Sequence, residues 1–220
     1  MTKHFEGEIE KLKKRILHFS ALVEESVQKS VTALETRDPQ LAQRVVDSDP
    51  DIDAMEVETE EECLKILALY QPVAFDLRFI VAVLKINNDL ERIGDLAVNI
   101  AESAAVVSDR PRVDIGFDFS AMAAKAKEML RGSLDSLVQE DADLARRVRA
   151  ADDVVDDMHR RMYQRVAEAL RRDPDQAETL QRLTSISRQL ERIADHATNI
   201  AEDVIYMLKG EIVRHGRSSA

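Results

Sequence analysis

From Phe5 onward apolar residues recur at spacings of three and four, through Ile9, Leu12, Ile16, Phe19, Val23, Val27, Val31 and Leu34, which predicts one long amphipathic helix. Thr36-Arg37-Asp38-Pro39 punctuates it. Asp38 can cap and Pro39 can fill the first turn of a second helix, which runs to about Tyr70 with a kink at Asp49-Pro50. Gln71-Pro72 makes the next break, and a third helix follows with Phe79, Val83, Ile86, Leu90, Ile93, Ala97 and Ile100 on its inner stripe, ending near Val107. Residues 108–117 lose the period, contain Pro111 and Gly116, and read as a linker. The plan then recurs: a helix from about Phe119 to Val138, a turn at Gln139-Glu140-Asp141, a helix to Arg172, a break at Asp173-Pro174 and a last helix to about Leu208.

The recurrence extends to individual residues. The thirteen residues from Leu90 to Glu102 match those from Leu190 to Glu202 at ten positions, and Asp49, Asp53 and Met55 correspond to Asp152, Asp156 and Met158 at a shift of 103. The chain is therefore an internal duplication. The expected fold is all-α, two tandem antiparallel three-helix bundles: residues 1–107, a linker at 108–117, residues 118–210, and a flexible tail at 211–220.

An antiparallel hairpin brings together residues equidistant from its turn. Asp53 and Glu91 are equidistant from Pro72, as are Asp49 and Asp95; Asp156 and Glu191 are equidistant from the Asp173-Pro174 bond, as are Asp152 and Asp195. Each half should thus hold four carboxylates at matching heights on two facing helices. Like charges at such spacing repel, and oxygen-ligated divalent or trivalent cations are a physical remedy, as in carboxylate-bridged metal sites between bundle helices. Asn99 and Asn199, one turn further on, could add carbonyl oxygens. The competing reading is a pair of solvated acidic faces neutralised by Arg92 and Arg192.

Charge and composition narrow the functions. With 31 Lys and Arg against 42 Asp and Glu, the net charge of -11 excludes broad electrostatic capture of nucleic acid. Cys63 stands alone, so neither an intrachain disulfide nor a thiolate zinc site can form, and a reducing interior suits the chain. No apolar run is long enough to span a bilayer, and a cytoplasmic location is expected. Redox oxidase chemistry is disfavoured because no Glu-x-x-His ligand pair occurs; Ser185, Ser187 and His196 lack a nucleophile turn, and no phosphate-cradling Gly-rich loop is present. By helical angle His196 points away from the acidic row.

The run from Gln71 through Ile80, followed by Leu84-Lys85 and Asp89-Leu90-Glu91-Arg92-Ile93-Gly94-Asp95, resembles the PhoU family of phosphate-signalling proteins, and the signature repeats from Leu190 to Asn199. The resemblance implies a pair of three-helix bundles, often dimeric, cytoplasmic or peripheral at the inner face of the membrane through its partners. It implies a non-enzymatic negative regulator of phosphate uptake and of the phosphate regulon, an adaptor between the phosphate ABC transporter ATPase and a sensor histidine kinase. It also implies metal ions (iron, manganese, zinc or magnesium) held by Glu91 and Asp95 and by Glu191 and Asp195, with Asp49, Asp53, Asp152 and Asp156 facing them. Asp76 and Arg78 are weaker candidates for partner contact, since the second half has Ala177 and Glu178 in place of Leu77 and Arg78. The alternative is a metal-dependent phosphohydrolase or a metal-storage bundle using the same carboxylates.

Overall fold

The computed structural model describes residues 3–210, and every regular element among them is helical. The expected tail at 211–220 lies outside those residues. The first half comprises α1 (Lys3–Thr36), α2 (Pro39–Asp47), α3 (Asp49–Tyr70) and α4 (Ala74–Ser108). The second comprises α5 (Phe119–Gln139), α6 (Ala142–Arg172), a single 3-10 turn at Pro174–Gln176, and α7 (Ala177–Lys209).

Local chemistry sets these boundaries in the same way twice. Asp38 Oδ1 accepts from the backbone N–H of Gln40 and Leu41, both at 2.9 Å, and Asp141 Oδ1 accepts from those of Asp143 and Leu144 at 2.8 and 2.9 Å. Burial favours the helical face predicted by the spacing: Leu12, Ile16, Phe19, Val23, Val27 and Val31 are fully enclosed, as are Val83, Ile86, Leu90, Ile93, Ala97 and Ile100 on α4. α3 ends where Gln71 turns left-handed at φ 46°, releasing its N–H to Leu67 O at 3.1 Å.

One expectation needs correction: Asp49-Pro50 does not kink the second helix but divides it into α2 and α3. Pro50 has no N–H to offer Val46 O, and Ser48 instead turns its own N–H and hydroxyl to Val45 O at 3.2 and 2.9 Å. At the corresponding position of the second half stands Asp153, and α6 runs unbroken.

The halves are not independent bodies. α4 packs along α7 and α1 against α5, so one buried apolar cluster runs through both bundles. The α4–α7 pairing is antiparallel: Arg78 Nε donates to Met207 O at 2.9 Å, Lys85 Nζ to Asp203 Oδ1 at 3.2 Å, and His196 Nδ1 lies 2.7 Å from Asp89 Oδ1. Ile93 and Ile193, both fully buried, occupy corresponding places in the duplicated sequence at this seam.

Candidate metal centre

The acidic rows lie along the seams between α3 and α4 and between α6 and α7. In the first half the Asp49 carboxyl is pushed above its ordinary range by burial, then by the nearby charges of Asp53 and Asp95. Glu91 is raised by burial and by Asp95; Arg92 opposes, and Asp53 and Glu56 add to the rise. In the second half Asp152 is pushed up to about 6, first by burial, then by Asp195 and Asp156. Glu191 is raised by burial and then Asp156, against Arg188 and Arg192. Asp195 is raised by its own partial burial and by Glu191 and Asp156, against His196 and Arg192. Asp49 thus feels Asp95, Glu91 feels Asp53, Asp152 feels Asp195 and Glu191 feels Asp156, each the cross-hairpin partner that the spacing assigns to it.

Cationic relief is thin. Arg92 serves two acids of the first row at arm's length, with Nε 3.5 Å from Glu91 Oε2 and Nη1 3.3 Å from Asp95 Oδ2, and its own side chain is exposed. Asp49 Oδ1, Glu91 Oε2 and Asp152 Oδ1 are all shielded from water without a hydrogen-bond partner. The Thr198 hydroxyl is near enough to favour the charged form of Asp152, yet neither Thr198 Oγ1 nor Asp152 Oδ1 completes a hydrogen bond. Shielded anionic oxygens lacking donors are the donor set that a hard or borderline cation satisfies. Among the described residues no three or more His, Cys, Asp or Glu side chains converge into a finished cage. Loading would therefore need these carboxylates to rearrange.

The remaining predicted residues are placed as follows. Asn99 and Asn199 are exposed, and Asn199 borders an open groove between α4 and α7 with Asp195 and Thr198. His196 is turned to Asp89 and stands apart from the row, as its helical angle requires. Arg78 is half-buried with its Nε on α7, and Asp76 sits in the first turn of α4.

Two further pairs extend the rows by one turn and were missed from sequence. Asn87 Nδ2 donates to Glu56 O at 2.9 Å and reaches Glu56 Oε1 at 3.3 Å, while its own Oδ1 is buried and unpartnered. The Glu56 carboxyl is raised by burial, then by Glu60 and Asp53. In the second half the same places hold His159 and Ser187, joined Nδ1 to Oγ at 2.5 Å. His159 is held below its usual range by burial and by Arg188, against Asp156, and its ring meets Tyr163 edge-on. The shifts of 103 and 100 that matched the other acids were the available signal; the differing residue types concealed it.

A family model described as the PhoU domain matches residues 16–104 and again residues 119–204. The chain belongs to the PhoU family. It is 37% identical to the phosphate-specific transport system accessory protein PhoU homolog 1 of Thermotoga maritima, over 94% of this chain and 90% of that protein. It is 37% identical to a PhoU homolog of the same description from Pseudomonas putida, over 98% of this chain and 84% of that protein. The crystal structure of PhoU from Pseudomonas aeruginosa superposes with a TM-score of 0.87 at 36% identity, covering 94% of this chain and all 100% of that one. That of the phosphate transport system regulatory protein PhoU from Streptococcus pneumoniae gives 0.84 at 27% identity, over 95% and 99%. Both PhoU repeats fall on the two bundles, with the break between them at the linker. Among the described residues no helix is long and apolar enough to cross a membrane.

Proposed function

We propose that this PhoU-family chain is a non-enzymatic adaptor that restrains phosphate uptake and phosphate-regulon expression by engaging the phosphate ABC transporter ATPase and a sensor histidine kinase. The observation that carries the reading is the full-length likeness to accessory proteins of phosphate-specific transport, across both bundles. The absence of a nucleophile turn or phosphate-cradling loop in the sequence accords with a role through binding rather than turnover. An acidic surface repels phosphate, so the phosphate signal arrives through partners unless bound cations invert the local charge.

Metal ions belong to the same proposal. Asp49, Asp53, Glu91 and Asp95 would hold one group and Asp152, Asp156, Glu191 and Asp195 the other, with Glu56 and Asn87, or His159, at the row's end. Bound cations would supply charge neutralisation and rigidity between paired helices. Their partnerless shielded oxygens support the fit.

The test is capture of the chain from membranes of cells grown in high and in low phosphate. Recovery of the transporter ATPase or the histidine kinase supports the adaptor; failure to recover either under both conditions refutes it. Metal content of protein purified without chelator separates the metal claim. Replacement of Glu91, Asp95, Glu191 and Asp195 by Ala should remove most of it, and unchanged content would eliminate these rows as ligands.

A further inference from the structure

The two acidic rows share their four carboxylates but not their ends. Beyond Asp53 and Glu91 the α3–α4 seam continues to Glu56, Glu60 and Asn87; the corresponding residues of the α6–α7 seam are His159, Tyr163 and Ser187. All three differences run the same way. The first end adds two carboxylates and an amide, so every atom it can turn to a cation is oxygen. The second end adds no carboxylate and brings an imidazole nitrogen.

Asn87 is only 1% exposed, and half of its amide is unused. Its Nδ2 is spent on Glu56, donating to O at 2.9 Å and to Oε1 at 3.3 Å, while its Oδ1 is shielded from water and has no donor. Glu91 Oε2, one turn along α4 on the same side, is shielded and partnerless as well. Glu60 is close enough for its charge to act on Glu56. On the second seam Ser187 is fully buried, and its Oγ lies 2.5 Å from His159 Nδ1. With Nδ1 occupied, Nε2 is the ring nitrogen left for a ligand; a hydrogen-bond partner on one nitrogen is how metal-binding imidazoles are oriented. The Tyr163 ring stands edge-on to the imidazole with centroids 4.9 Å apart, and Asp156, one turn back on α6, is close enough for its charge to act on it.

From these unlike ends we propose that the two rows select different classes of cation. The α3–α4 row takes a hard one such as Mn²⁺ or Mg²⁺, and the α6–α7 row a borderline one such as Zn²⁺, with His159 Nε2 the deciding ligand and Ser187 its positioning residue. Carboxylate and amide oxygens suit hard cations, and exchanging an oxygen for imidazole moves the preference toward zinc. The inference rests on the metal reading under Proposed function and adds which row selects which ion.

The experiment is competition dialysis of the full chain against equimolar Mn²⁺ and Zn²⁺, with bound metals counted by mass spectrometry, on two variants that each keep one row. Asp156→Asn with Glu191→Gln leaves the first row, and Asp53→Asn with Glu91→Gln leaves the second. The zinc-to-manganese ratio retained by the second row should exceed that of the first by at least about tenfold. Added to the second-row variant, His159→Glu should bring the ratio down to that of the first row, and Ser187→Ala should lower zinc binding by about tenfold with a smaller loss of manganese. Because His159→Glu also adds a charge, pulsed electron paramagnetic resonance with Cu²⁺ reads the ligand itself: the second-row variant should show imidazole nitrogen modulation that His159→Glu removes. Circular dichroism checks folding, which the row replacements should preserve because they keep side-chain shape and relieve repulsion. Equal ratios at the two rows, a ratio indifferent to His159→Glu, or no imidazole signal dependent on His159 overturns the proposal and leaves the metal reading standing. Metal retained by neither isolated row overturns both.

Discussion

Asp152→Asn isolates the electrostatic burden of the acidic row. Asp152 is the acid pushed furthest, from 3.8 to about 6, by burial and by Asp195 and Asp156. A carboxyl raised by about two units represents roughly 3 kcal/mol at neutral pH if fully expressed. Water still reaches the edge of the row, and screening reduces the figure to about 1 kcal/mol. The sign follows from linkage. With a folded value above the unfolded one, the penalty is absent below pH 3.8, grows as pH rises through the interval to about 6, and is complete above it. In EDTA at pH 7.5 the variant should therefore melt roughly 2–4 °C above the parent, an unusual gain for removing a charged side chain. Acidifying the parent to pH 5 should recover part of that gain, while the variant responds less. With metal present the order should reverse, because the lost carboxylate is then a lost ligand. Equal or lower melting of the variant in EDTA would refute the claim that these acids are held together against repulsion.

A Cβ built on Gly94 would meet Ile52 Cγ2 at 2.9 Å, whereas Ala194 fills the corresponding place in the second half. Gly94→Ala should lower stability by about 1 kcal/mol, overpacking outweighing the gain in helix propensity, and in an Ile52→Ala background, where the Cγ2 that it meets is gone, the same change should cost nothing in a denaturant titration. Arg37 Nη2 donates to Val107 O at 3.0 Å and Ser108 O at 2.7 Å and also to Arg110 O, closing the end of α4 onto the linker. Arg37→Ala should cost about 2 kcal/mol and speed amide exchange across residues 109–118, with the α6–α7 hairpin unchanged.

Much of the architecture was open to reading because helical periodicity and caps are local. Asp38 caps where it was expected, Asp141 caps within what was read only as a turn, and equidistance about Pro72 and about Asp173-Pro174 brought together acids that feel one another's charge. What sequence concealed was set by single interactions. Pro50 lacks an N–H and divides a helix that its counterpart Asp153 leaves whole. Asn87 and Ser187 occupy matching places with different groups, so the turn that adds Glu56 and His159 to the rows carried no repeated motif. Arg78 offered no hint in the sequence that its guanidinium would reach the last turn of α7, since that contact depends on how the two bundles meet.

The pairing of the acids for metal is tested most directly by crystals of the chain grown with iron or manganese, with diffraction collected on either side of the metal's absorption edge. Anomalous density between Asp53 and Glu91, and again between Asp156 and Glu191, is the expected result. Saturating metal with no anomalous density in either seam, or density only on surfaces away from both, would contradict the account.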